Sequence, residues 1–159
     1  HTNGYSLARK VLLEDGELSL SSIPGDLKHP LGDELLEPHR CYAQALLPLT
    51  GDSVIRGMVH ITGGGYEGNI PRVIPGELVA TIDKKLWPVH PIFRLIAQMG
   101  NVPEAEMYRT FNMGLGMLVI ISPDDSTWVS DALEKAGETV YEIGTVRLRT
   151  GEDPPVILG

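Results

Sequence analysis

Three adjacent glycines, Gly63-Gly64-Gly65, follow an apolar run and lead into Tyr66-Glu67-Gly68-Asn69-Ile70-Pro71-Arg72. Glycine reaches positive φ without steric cost and lets a ligand approach the backbone closely. Asn69 is read as the cap of a short helix whose first turn holds Ile70, Pro71 and Arg72, where proline's missing N–H does no harm. A helix start behind a glycine turn offers N–H groups to an anion, and Arg72 adds a fork of donors. The expected chemistry is phosphate binding, with Thr62, Gly63, Gly64, Gly65, Asn69 and Arg72 as its residues. His60 shares a strand face with Thr62 and can position or protonate a reacting group; a hydrogen-bonded structural histidine is the plainer alternative.

Two nucleotide motifs lie close to this stretch, and both fail. Gly63 to Gly68 spells G-x-G-x-x-G with Asp83 downstream, but Pro71, Pro75 and Gly76 interrupt the interval where a dinucleotide fold needs its crossover helix. A P-loop requires Gly-Lys-Ser/Thr after the glycines, and none follows. A glycine turn without a ligand is the remaining alternative. No G-x-S-x-G or H-E-x-x-H occurs, and the five histidines read as scattered, so no intrinsic metal site is expected.

The elements around the glycines set the fold class. A helix is expected over Tyr5 to Leu13, with Leu7, Val11 and Leu12 on its buried face, and a second from Gly32 to about Leu47 that Pro38 kinks or splits. After a turn at Thr50-Gly51-Asp52, Val54 to Thr62 forms the strand feeding the glycines, and Leu78 to Ile82 forms another. Ile92, Leu95, Ile96 and Met99 mark an amphipathic helix closed by Gly100-Asn101, and a short helical turn from Glu104 ends before Arg109. Leu115 to Ile121 reads as a central strand covered on both faces. The last helix starts at Asp124-Asp125-Ser126, buries Val129, Ala132, Leu133 and Ala136, and stops at Gly137; strands follow over Val140 to Leu148 and Val156 to Leu158. The pattern implies a single α/β (α+β) layered domain with a mixed sheet, because the link from Thr62 to Leu78 is too short for an all-parallel one.

Composition narrows the function classes. With 159 residues the chain suits one domain that buries roughly 70% of its unfolded surface. A net charge of −8 argues against nucleic acid as principal partner. The one cysteine, Cys41, excludes an internal disulfide and is expected to be a buried small hydrophobe on a helix. No run is long enough to span a membrane and no signal sequence opens the chain, so a cytoplasmic location is expected. The start at His1 without a methionine leads us to expect a fragment or processed product.

His60 to Arg72, with Arg109-Thr110-Phe111-Asn112-Met113-Gly114-Leu115-Gly116-Met117 and the opening His1-Thr2-Asn3-Gly4-Tyr5-Ser6-Leu7, resembles the aminoimidazole ribonucleotide synthetase (phosphoribosylformylglycinamidine cyclo-ligase) family. The likeness covers nearly the whole chain, but only the C-terminal domain of that two-domain enzyme. It implies a three-layer α-β-α domain, a separate N-terminal domain that holds most of the ATP and its Mg, and a homodimer when full-length. It also implies ATP-driven ring closure of formylglycinamidine ribonucleotide: the formamide oxygen is activated, an amidine nitrogen attacks, and ADP and phosphate leave. Such chemistry needs a phosphate cradle, stabilisation of developing charge and exclusion of water. On this resemblance Arg109 and Asn112 join His60 as catalytic candidates, and His1, Thr2 and Asn3 line the cleft; a surface ion pair and a simple turn are the alternatives for Arg109 and Asn112. Many relatives have Glu before the Asn of Asn-Ile-Pro-Arg, where this chain has Gly68 and keeps Glu67 one place earlier. The fragment alone is expected to be inactive. A sister ATP-dependent enzyme of the formylglycinamidine ribonucleotide synthetase or selenophosphate synthetase type, or a non-catalytic phosphometabolite-binding module, are the competing readings.

Overall fold

The computed structural model describes residues 1–51 and 54–159; Asp52 of the expected turn lies outside them. Helix α1, Tyr5–Arg9, continues as a π-helical stretch, Lys10–Asp15, and stops at Gly16. Ala8, Val11 and Leu12 turn into the core, at the spacing of one helical face. The expected helix from Gly32 to Leu47 is two pieces, α2 Leu31–Leu35 and α3 Ala43–Leu46. Pro38 lies in the gap, where its ring and missing N–H bar a continuous helix. The break carries Cys41 out of any helical face, so it is exposed rather than buried.

Strand β1, Gly57–His60, is shorter than expected and pairs antiparallel with β3, Met117–Ile120, so that His60 faces Met117. These two form their own sheet. Strand β2, Leu78–Ile82, pairs antiparallel with β4, Gly144–Leu148, and parallel with β5, Val156–Leu158. A mixed sheet is therefore present, but β3 is not in its centre. It is nonetheless covered on both sides: Leu118 and Ile120 pack on the main core, while Met117, Val119 and Ile121 pack on a smaller cluster. Alternation along the strand divides its side chains between the two layers.

The main core joins α1, β1, β2, α5 (Pro91–Met99) and α6 (Glu104–Thr110); the smaller one joins α3 and α7 (Ser126–Lys135). Helix α5 buries Ile92 and Ile96 and ends at Gly100, with Asn101 at φ 46°. Helix α7 buries Val129 and Leu133, whereas Ala136 falls past its last turn and is exposed. Each fully buried Leu, Ile or Met contributes about 1.5–3 kcal/mol, and Leu12, Leu31, Ile61, Ile70, Ile96 and Met107 form the centre of that store. The result is the α+β layering the pattern implied. Among the described residues no helix is long and apolar enough to cross a membrane.

Candidate active site

The glycine turn runs directly into α4, Gly65–Asn69, followed by a 3-10 turn, Ile70–Arg72. Asn69 ends this helix instead of capping the next. Its side chain is buried and folds back: Nδ2 donates to the carbonyls of Gly65 (2.7 Å), Thr62 (3.2 Å) and Gly63 (3.4 Å), and Oδ1 accepts from Thr62 Oγ1 at 3.1 Å. One amide thus ties the strand end to the helix. The Gly64 N–H donates to the Arg109 carbonyl and the Gly65 N–H to the Thr62 carbonyl. A Cβ at Gly65, which sits at φ +62°, would land on the Tyr108 carbonyl of α6. Two of the three glycines are therefore explained by tight docking on α6, and their amides are not open to an anion.

Beneath this turn, Tyr66 stacks on Trp87, and both reach the segment after α6. Tyr66 Oη donates to the Asn112 carbonyl (2.8 Å) and Trp87 Nε1 to the Met113 carbonyl (3.1 Å). Asn112 Oδ1 accepts from the Gly114 N–H at 3.0 Å, and Met113 is held at φ 52°. This turn forms part of a cavity of about 460 Å³, lined also by His1, Asn3, His39, Tyr42 and Gly116. Asn3 reaches the glycine turn, since a Cβ at Gly63 would stand 3.6 Å from its Nδ2.

The histidines are not scattered. His1, His39 and His60 come from the opening segment, the break after Pro38 and the end of β1, and each offers a ring nitrogen within 4.8 Å of the others. His1 stacks on His39 with ring centres 4.1 Å apart, and His60 meets both edge-on. Tyr42 Oη lies 2.5 Å from His1 Nε2. A Cβ at Gly116 would collide with both His1 and Tyr42, so the glycine at this position admits the group. Partial burial pushes the His60 imidazole below its ordinary 6.5, and the charge of His39 acts in the same direction. Burial pushes the Tyr42 phenol up to about 12, with Glu138 adding to the effect, so it stays protonated near neutral pH.

Residues 1–154 match the family described as "AIR synthase related protein, C-terminal domain". The chain belongs to that family. A phosphoribosylformylglycinamidine cyclo-ligase from Bacillus cereus is 50% identical over 144 residues, covering 91% of this chain and 42% of the relative. One from Myxococcus xanthus is 45% identical over 157 residues, covering 99% and 46%. The chain thus spans less than half the length of these curated relatives.

Within this AIR synthase related domain, the residues singled out from the sequence divide into two groups. His1, Asn3 and Asn112 line the cavity, and His60 touches it through His1. Arg109 does not join them. It is the penultimate residue of α6, not beyond it, and pairs with Glu106 at 2.7 Å with 71% of its side chain exposed. That pairing, with a bond from Thr110, holds the Glu106 carboxyl below its ordinary value. Arg109 lines a separate recess of about 230 Å³ with Gly64, Glu67 and Lys84. Arg72 is exposed and has no ion-pair partner among the described residues. His39 and Tyr42 were not singled out from the sequence. Pro38 removes the helical period there, and no local pattern points from residue 39 to residue 60.

Proposed function

We propose that this domain is the C-terminal half of an ATP-dependent ligase that closes formylglycinamidine ribonucleotide to aminoimidazole ribonucleotide. The supporting observation is a cavity lined by His1, Asn3 and Asn112 beside His60, in a chain 45–50% identical to cyclo-ligases over nearly its whole length. Ring closure forms one C–N bond, breaks the activated C–O bond and releases a proton from the amidine nitrogen. ATP, as co-substrate, supplies the activation and leaves as ADP and phosphate. The amides of Gly64 and Gly65 are engaged inside the domain, so this turn does not fit a triphosphate, and no ATP-handling step is assigned to it. ATP and its Mg then belong to the part of the enzyme outside this chain, as does the homodimer contact.

In this reading His60, with its pKa held down, is neutral at pH 7 and accepts the proton lost by the attacking nitrogen. Asn3 and Asn112 orient the formamide and amidine groups by hydrogen bonds, and the buried Phe111 and Ile96 beside the cavity restrict water. Arg72, exposed after the glycine turn and without an ion-pair partner among the described residues, takes the ribose phosphate. The test is ATP-dependent ring closure by the full-length protein, with Arg72→Ala alongside. The wild type closes the ring, and the variant raises the KM for the ribonucleotide by about tenfold or more with a smaller change in kcat. A folded wild type that cannot close the ring refutes the reading; closure with an unchanged KM in the variant removes Arg72 from the phosphate site.

A further inference from the structure

We propose that His1, His39 and His60 form a binding site for a divalent transition-metal cation of the zinc class, distinct from the Mg that accompanies ATP and mutually exclusive with proton acceptance by His60, which belongs to the metal-free state. Three imidazoles supply three neutral nitrogen donors, the set that zinc, cobalt and nickel prefer and that magnesium, an oxygen-seeking ion, does not. Their ring nitrogens already lie within 4.8 Å of one another. Bonds of 2.0–2.1 Å at tetrahedral angles need separations of about 3.3–3.5 Å, which small rotations of exposed rings supply. His39 and His60 are both exposed and free to make them.

The surroundings suit a cation. Tyr42 Oη at His1 Nε2 gives that ring the polar partner that orients a ligating imidazole. Glu37 lines the same cavity, as does Glu34, which pairs with His29, while Arg40, also on its wall, pairs with Glu138 at 2.7 Å. Three histidines leave at least one coordination position, which zinc fills with water or an oxygen of a bound molecule. The site borders the cavity, so the ion would hold an oxygen of whatever occupies it.

The experiment uses the full-length protein, stripped of metal and free of nucleotide, titrated with Zn²⁺ against a chromophoric chelator and separately with Co²⁺. The expected result is one Zn²⁺ per chain and a visible Co²⁺ d–d band of low-symmetry nitrogen coordination. His39→Ala and His60→Ala each weaken Zn²⁺ binding at least about tenfold and abolish the band. His29→Ala, which removes an exposed histidine paired with Glu34 outside the group, changes neither readout. Circular dichroism establishes that the variants are folded; His39 is exposed, so its removal does not open the core. The absence of stoichiometric uptake overturns the proposal. So does retention of Zn²⁺ by folded His39→Ala and His60→Ala proteins, or an equal loss in His29→Ala. Ring closure is not part of the readout, so this site and the proposed reaction fail separately.

Discussion

The glycine turn and the histidine group are neighbours in the fold and opposites in construction. The turn is contiguous in sequence, so its residues suggest a ligand site at once, yet its polar groups are largely satisfied within the domain. Asn69 binds three carbonyls, and the amides of Gly64 and Gly65 find theirs on Arg109 and Thr62. The histidine group draws on residues 1, 39 and 60, has no sequence signature, and brings imidazole nitrogens within 4.8 Å of one another. The lesson concerns saturation. A motif rich in donors is a ligand site only if the fold leaves those donors open, whereas clustered unpaired donors invite a ligand whatever their spacing.

Substitutions can break this contrast, and the largest effect belongs to the turn. Gly65→Ala sets a Cβ against the Tyr108 carbonyl at a positive φ. Backbone on both sides leaves no flexible atom to yield, so a loss of about 4 kcal/mol in urea unfolding, or failure to fold, is expected. If the turn were instead a loose ligand loop, the change would be mild. Asn69→Ala removes the donors to three carbonyls and should cost about 2 kcal/mol by the same measurement.

Gly116→Ala addresses the other region. The added Cβ meets the ends of the His1 and Tyr42 side chains, which can swing away, so stability falls by only about 1–2 kcal/mol. The histidine group is disrupted instead, and Zn²⁺ affinity in the chelator competition should drop at least about tenfold. The smallest effect is Arg109→Ala, which removes the partner of Glu106. NMR titration should show the Glu106 carboxyl rising toward its ordinary 4.5. The sign follows from linkage: a carboxyl depressed in the fold stabilises above its unfolded pKa and loses that contribution as pH falls through its folded value. The pair lies at the surface and is screened by solvent, so the unfolding midpoint near neutral pH should not move measurably.

The legible parts of this molecule are those governed by local rules. The strand from Leu78 to Ile82 and the helix carrying Ile92 and Ile96 follow from alternation and from i, i+4 spacing, and both lie where expected. Mixed pairing followed from the short link before β2. Long-range contacts were not legible. Cys41 looked like a buried helical residue because the helical period was carried across Pro38, where the structure breaks it. Arg109 reads in sequence as lying past a helix that includes it, and its place on that helix turns its side chain toward Glu106. His39 shows the limit most clearly. Its chemistry depends on residues 38 positions before it and 21 after it, and only the completed fold sets those distances.

The most direct measurement is ring closure by the full-length protein, comparing His60→Ala with Arg109→Ala under saturating ATP. With proton transfer beside the histidine-lined cavity, His60→Ala should lower kcat/KM of the metal-free enzyme about a hundredfold or more. Arg109→Ala should stay within about threefold of wild type, as expected for a solvent-screened surface pair. Collapse of activity in Arg109→Ala with near-normal turnover in His60→Ala would contradict that placement and return the chemistry to the recess beside the glycine turn.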